Sequence, residues 1–198
     1  MKRKEKFFLT FLLVGVLGGL AGLGVFGAFT STTSNANNSF ASGTVVIGDN
    51  DANGALYSVS NAKPGTTNSG CIKVTYTGSL PSDVRLYSTN TTVGSLGQYV
   101  DLTITPGTQT GTPTFPSCAG FTADSSGALY TGTLQNFAQT KNTYGTGVID
   151  NPGTTATSWT TNDSVVYQFT TTLQSGAPDG AQNLTTGSHG FTWEAHNQ

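Results

Sequence analysis

Three groups of residues have the types and spacing for chemistry. Cys71 and Cys118 are the only cysteines in the chain. In an exported protein an even pair reads as one disulfide, and the long loop it closes makes it worth ~4 kcal/mol through the entropy of the unfolded chain. Two buried thiols are the alternative. Asp49-Asn50-Asp51-Ala52-Asn53-Gly54 matches the first half of a calcium loop, with oxygen-bearing side chains at Asp49, Asp51 and Asn53 and glycine in sixth place. The twelfth place holds Ser60 instead of a bidentate Glu, and the flanks are strand-like. Such a run between strands is ordinarily a hairpin turn whose side chains cap backbone amides, so the turn is the expected reading and calcium the alternative. Finally, His189 and His196 lie near Glu194. A zincin-type peptidase needs two histidines at i and i+4 on a helix with a Glu between them. These two are seven apart with Gly190 and Trp193 between, so histidines on a surface strand are expected ahead of a zinc site.

Other catalytic patterns are missing from the sequence. There is no G-x-S-x-G elbow, no lysine at phosphate-loop spacing in the glycine-rich tracts, and no clustering of carboxylates for glycoside hydrolysis. The chain is therefore not expected to be an enzyme, and no cofactor is expected beyond the calcium alternative.

Composition narrows the class. The chain has 198 residues, of which 9% are charged. Thr is the commonest residue at 35, followed by Gly at 26. Thr forms strands, and Gly, Asn, Ser and Pro form turns, while long runs of helix formers are absent. Beyond residue 27 only Lys63, Lys73, Arg85 and Lys141 face nine acidic residues, a net charge of −5. Such a surface repels phosphate, which excludes nucleic acid as a partner.

The first six residues carry Lys2, Arg3, Lys4 and Lys6, and residues 7–29 carry no charge. A basic start followed by an apolar run is a secretory signal, expected to be cleaved between Gly27 and Ala28 with Val25 at −3. The run is also long enough to span a bilayer, so an uncleaved membrane anchor is the alternative. The protein is expected in the extracellular matrix or at the cell surface, with a signal peptidase as its partner during export.

Period-two alternation places strands at 44–47, 55–59, 71–77, 83–87, 99–105, 128–134, 164–173 and 190–195. Residues 106–127 and 140–163 read as long loops, and no helix is credible. Tyr57, Tyr76, Tyr87, Tyr130, Phe169 and Trp193 fall at strand periodicity and are expected in the core or in cross-strand pairs. Trp159 sits in a loop-like stretch and is expected to be exposed. The expected architecture is all-β: a single two-sheet sandwich of jelly-roll type over residues 44–198, with long loops, after a signal peptide at 1–27 and a polar extended segment at 28–43.

That polar segment, AFTSTTSNANNSFASG, is uncharged and carries Phe29 and Phe40. Thr and Ser let it extend, and the lack of charge removes the usual guard against edge pairing. It has the character of a donor strand that completes a sheet in the next copy of the chain, with Phe29 and Phe40 as anchors. A head-to-tail contact of this kind does not close, so it generates a fibre. A flexible tether is the alternative.

Several motifs occur in an order that resembles the TasA/camelysin family of secreted proteins with SipW-type signal peptides. They are Phe40-Ala41-Ser42-Gly43-Thr44, the turn Ser60–Gly65, the step Thr77–Leu80, and the closing strand Phe191-Thr192-Trp193-Glu194-Ala195. The resemblance covers residues 1–90 and, more loosely, 165–195. It implies a jelly-roll domain, export by a dedicated signal peptidase, and a structural role in fibres of the biofilm matrix. A camelysin-like metallopeptidase is the enzymatic alternative, and a carbohydrate- or calcium-binding adhesin module is the non-enzymatic one. Cleavage at the expected site predicts that protein recovered from culture medium begins at Ala28 by N-terminal sequencing.

Overall fold

Hydroxylated and apolar side chains alternate along most of the chain, and a pleated strand sorts them onto opposite faces. The computed structural model describes residues 41–153 and 155–198. The expected cleavage site at Gly27 and Ala28 and the expected anchors Phe29 and Phe40 lie outside the described residues. Among the described residues nine strands form: β1 (Ile47–Asp49), β2 (Thr67–Tyr76), β3 (Ser82–Ser88), β4 (Val100–Gln109), β5 (Phe121–Ala123), β6 (Tyr130–Thr133), β7 (Val148–Asp150), β8 (Ser164–Leu173) and β9 (Phe191–Asn197). One short helix, α1 (Leu134–Thr140), follows β6.

The strands make two antiparallel sheets. The larger runs β1-β2-β8-β4-β5, with β6 also on β4, and the smaller runs β7-β3-β9. The chain crosses between the sheets at β2 to β3, β3 to β4, β6 to β7, β7 to β8 and β8 to β9, and late strands pair with early ones. This is the wound two-sheet sandwich expected from the sequence. The core lies between the sheets. Ile72, Val74 and Tyr76 of β2, Leu102 and Ile104 of β4, and Val165, Tyr167 and Phe169 of β8 meet Val84 and Leu86 of β3. Phe191, Trp193 and Ala195 of β9 pack against that cluster while remaining partly accessible.

β2 begins four residues earlier than its apolar alternation indicates. The extra turnless stretch Thr67–Gly70 is polar, yet it pairs with β8. Hydroxyls join it on the outer face, Thr67 to Thr172 at 2.9 Å and Ser69 to Thr170 at 3.0 Å. Cross-strand hydroxyl pairs of this kind replace apolar contacts as the register signal.

Other expectations need correction. Residues 55–59 form no strand, and the strand expected at 44–47 is found at 47–49. The stretch expected as a strand at 128–134 becomes β6 and then α1. Leu134, Phe137 and Ala138 share the buried face at i, i+3 and i+4, and the Thr133 side chain caps the helix by accepting the Asn136 N–H. Two helical turns are too short to stand out from a strand-rich background. The loops expected at 106–127 and 140–163 contain the end of β4, β5 and β7. Trp159, expected at the surface, is fully buried. Its backbone bridges Ser82 in both directions, which carries the indole into the core, where Nε1 donates to the Asp150 carbonyl at 2.7 Å. Only the distant strand β3 supplies that bridge, so local polarity misleads.

Cys71 and Cys118 form a disulfide, with Cα atoms 5.1 Å apart. The bond holds the 113–118 loop against the edge of β2, where the Cys71 N–H donates to the Pro116 carbonyl at 2.9 Å. Replacing both cysteines by serine is expected to lower unfolding free energy by ~4 kcal/mol in urea titrations.

Candidate functional site

The structure brings two of the sequence-derived candidates, Asp51 and His189, to the lining of one cavity and leaves His196 with Glu194 outside it. Asp49 and Asp51 use their carboxylates on the local backbone. Asp49 Oδ1 accepts the Asp51 N–H at 3.0 Å, and Asp51 Oδ1 accepts the Asn53 N–H at 2.7 Å. Ala52 and Asn53 adopt left-handed backbone angles, so the run is a tight Asx-type turn after β1. The neighbouring Asn50 side chain accepts the Lys73 N–H at 2.8 Å and so covers the β2 edge.

His189 and His196 are seven residues apart along an extended segment, which directs them to opposite faces. His189 faces inward, where its Nε2 lies 2.6 Å from the Tyr57 hydroxyl and its Nδ1 lies 3.0 Å from the Gly187 carbonyl. His196 faces outward beside Glu194, with Nε2 and Oε1 2.6 Å apart, the only ion pair found among the described residues. Its ring stacks on Tyr144 at 3.7 Å between centroids. Glu194 also accepts the Tyr87 hydroxyl at 2.6 Å, and these two bonds hold its carboxyl below the usual range. The structure therefore does not bring the two histidines together, and among the described residues no group of three His, Cys, Asp or Glu side chains is arranged for a metal ion. Also among the described residues, no helix is long and apolar enough to cross a membrane.

The feature with binding geometry is one that local patterning does not reveal: an open edge on β9. Thr89 donates to the Gly190 carbonyl and Gln198 donates to the Pro81 carbonyl. With the β3–β9 register, these bonds turn the backbone groups of Gly190, Thr192, Glu194, His196 and Gln198 toward β3. The N–H and C=O groups of Phe191, Trp193, Ala195 and Asn197 then point away from β3, to the free edge. None of them finds a backbone partner among the described residues.

A cavity of about 530 Å³ lies beside this edge. Its lining includes Phe191 and Trp193 of β9, Ile72 of β2, Thr171 and Leu173 of β8, Leu56, Tyr57 and Phe115. The chain from Ala55 to Val59, with Ala62, forms another part of its wall. This stretch crosses the inner face of β2 at Gly70, where a Cβ would collide with the Leu56 carbonyl. Residues 55–62 make no backbone–backbone hydrogen bond with the described residues. The Tyr57–His189 contact is their side-chain link to the β9 side, and burial pushes the pKa of the Tyr57 hydroxyl up. Tyr57 thus lines the cavity and does not belong to a strand.

A scan against protein-family models finds no match for this sequence, and neither does a comparison with curated proteins. The geometry of the chain itself carries the functional reading. An extended segment meeting β9 would gain backbone hydrogen bonds at alternate residues and bury its intervening side chains in the adjoining cavity.

At the other edge of the small sheet lies Asp150, at the end of β7. Burial raises its carboxyl pKa to about 6 from 3.8, against hydrogen bonds from the Tyr167 side chain and the Asn151 backbone that hold it lower. A carboxyl raised on folding contributes most below its unfolded pKa, and that contribution is lost as pH climbs from 3.8 to about 6. The charged form is the destabilised one at neutral pH. Asp150→Asn in metal-free buffer is expected to stabilise the protein by ~1–3 kcal/mol at pH 7.5. The gain should vanish below the unfolded pKa, which chemical denaturation across the pH range measures.

Proposed function

We propose that this protein is a secreted structural subunit of an extracellular matrix or surface fibre, and that residues 28–43 of one copy add a strand to β9 of the next. The observation that carries this reading is the free seven-residue edge of β9 beside a cavity lined by both aromatic and polar side chains. The resemblance to the TasA/camelysin family and the uncharged, Thr/Ser/Asn-rich character of residues 28–43 support it. The disulfide is compatible with an oxidising extracellular location.

Lengths restrict how the tail fits. An extended strand rises ~3.3 Å per residue, so β9 offers ~23 Å of edge. Phe29 and Phe40 are eleven residues apart, ~36 Å when extended. One tail therefore seats only one of its two phenylalanines beside Phe191 and Trp193. The other lies outside the groove, near one or the other end of the connection. The contact is heterologous, so it propagates from copy to copy without closing.

Two variants test the reading from opposite sides of the contact. Deleting residues 28–40 removes the donor. Ala195→Pro removes an N–H that faces the free edge and breaks no bond to β3, so the fold tolerates it. Wild-type mature protein is expected to form concentration-dependent filaments by electron microscopy, and each variant is expected to stay monomeric by light scattering. Filaments that persist in either variant would overturn strand donation onto β9.

A further inference from the structure

The triplet Asn-x-Ser/Thr, with any residue but proline in the middle, marks where an exported chain accepts a glycan on the asparagine amide nitrogen. It occurs four times: Asn37-Asn38-Ser39, Asn90-Thr91-Thr92, Asn162-Asp163-Ser164 and Asn183-Leu184-Thr185. In a chain this rich in Thr, Ser and Asn the triplet also arises by chance, so the fold has to discriminate. Asn37 lies outside the described residues.

Two of the other three are poor acceptors. Asn90 is already engaged: its Oδ1 accepts the Gly190 N–H at 3.2 Å and the Thr89 hydroxyl at 2.8 Å, which ties the segment after β3 to the start of β9. Asn162 is exposed, but Ser164 is the first residue of β8 and is paired with Thr75. Its middle residue, Asp163, has a carboxylate held by the Thr160 N–H at 2.7 Å and the Thr160 hydroxyl at 2.9 Å. An acid at that position repels a donor that carries phosphate.

Asn183 differs on each count. It lies in the connection between β8 and β9, and all three residues of its triplet are exposed. The backbone around it is fixed on both sides. The Leu184 N–H donates to the Ala181 carbonyl at 3.3 Å, while the Thr185 and Thr186 carbonyls accept the Leu96 and Gly94 N–H groups at 3.3 and 2.7 Å. Between these anchors Asn183 takes a left-handed angle, φ 64°. Side-chain hydrogen bonds resume only at Thr185, whose Oγ1 accepts the Gly187 N–H at 3.0 Å, so the Asn183 amide has no partner among the described residues. Leu184 places no charge at the middle of the triplet.

We propose that Asn183 carries an N-linked glycan, transferred during export from a saccharide linked to a polyprenyl phosphate. Asn183 Nδ2 attacks C1 of the first sugar and forms the N–C1 bond. The C1–O bond to phosphate breaks, the phosphate leaves with the electron pair, and the proton lost from Nδ2 passes to a base of the transferase. Nothing is oxidised or reduced. The proposal rests on the export part of the reading above and is independent of strand donation. Asn183 does not line the cavity, whose wall from this connection is Thr186–Gly190.

The test uses the full chain expressed in its own cell and recovered from culture medium with its disulfide intact. Chymotryptic peptides spanning Gln174–Phe191 are weighed and fragmented by mass spectrometry. The wild-type peptides are expected to carry the mass of whole sugar residues on Asn183. Asn183→Gln and Thr185→Ala are each expected to return them to the bare mass, and Thr185→Ser to retain the sugar. A bare Asn183 in protein taken from the medium would overturn this proposal alone. So would added mass that survives Asn183→Gln and disappears in Thr185→Ala, because the sugar would then sit on the threonine hydroxyl. A chain retained in the cell with residues 1–27 intact would overturn the export reading and this proposal with it.

Discussion

Each sheet in this molecule ends in rows of backbone donors and acceptors that water or another chain segment must satisfy. The chain meets that demand unevenly. The outer edge of β2 is covered by β1, then by the Asn50 side chain at Lys73, then by Pro116 at Cys71. The outer edge of β4 is shared between β6 and β5. In the small sheet, β7 is only three residues long. β9 alone combines length, inward aromatic side chains and unpaired backbone. The covers on the larger sheet come from neighbouring strands, a side chain and a cross-linked loop, so the open edge of β9 is a departure within one molecule.

The disulfide belongs to this arrangement. Cys71 sits on β2 where cover passes from β1 to the 113–118 loop, and the bond to Cys118 keeps that loop in place. Without it, the Pro116 carbonyl would have less to hold it beside Cys71, and the larger sheet would gain a second exposed stretch. Every additional exposed stretch is an attachment point for another chain segment, and the cross-link removes one.

Much of the architecture was legible from alternation. Ile72, Val74 and Tyr76, and Val165, Tyr167 and Phe169, mark buried faces by their spacing alone, and the paired cysteines announce their bond. What escaped was set by contacts across the fold. Trp159 has polar neighbours in sequence yet is carried inward by Ser82. Tyr57 has strand-like neighbours, yet no strand pairs with it. α1 is hidden by its brevity. The β9 strand was visible in Phe191, Trp193 and Ala195, but its vacant side depends on which strand is missing beside it, and no local pattern encodes an absence.

The scarcity of charge has a consequence for how the particle holds together. With His196–Glu194 as the sole ionic contact found among the described residues, cohesion rests on apolar packing, hydroxyl ladders and the backbone network. Dissolved electrolyte screens interactions between charges and leaves those forces nearly untouched. The folded chain is therefore expected to keep its strength in fresh water and in brine alike.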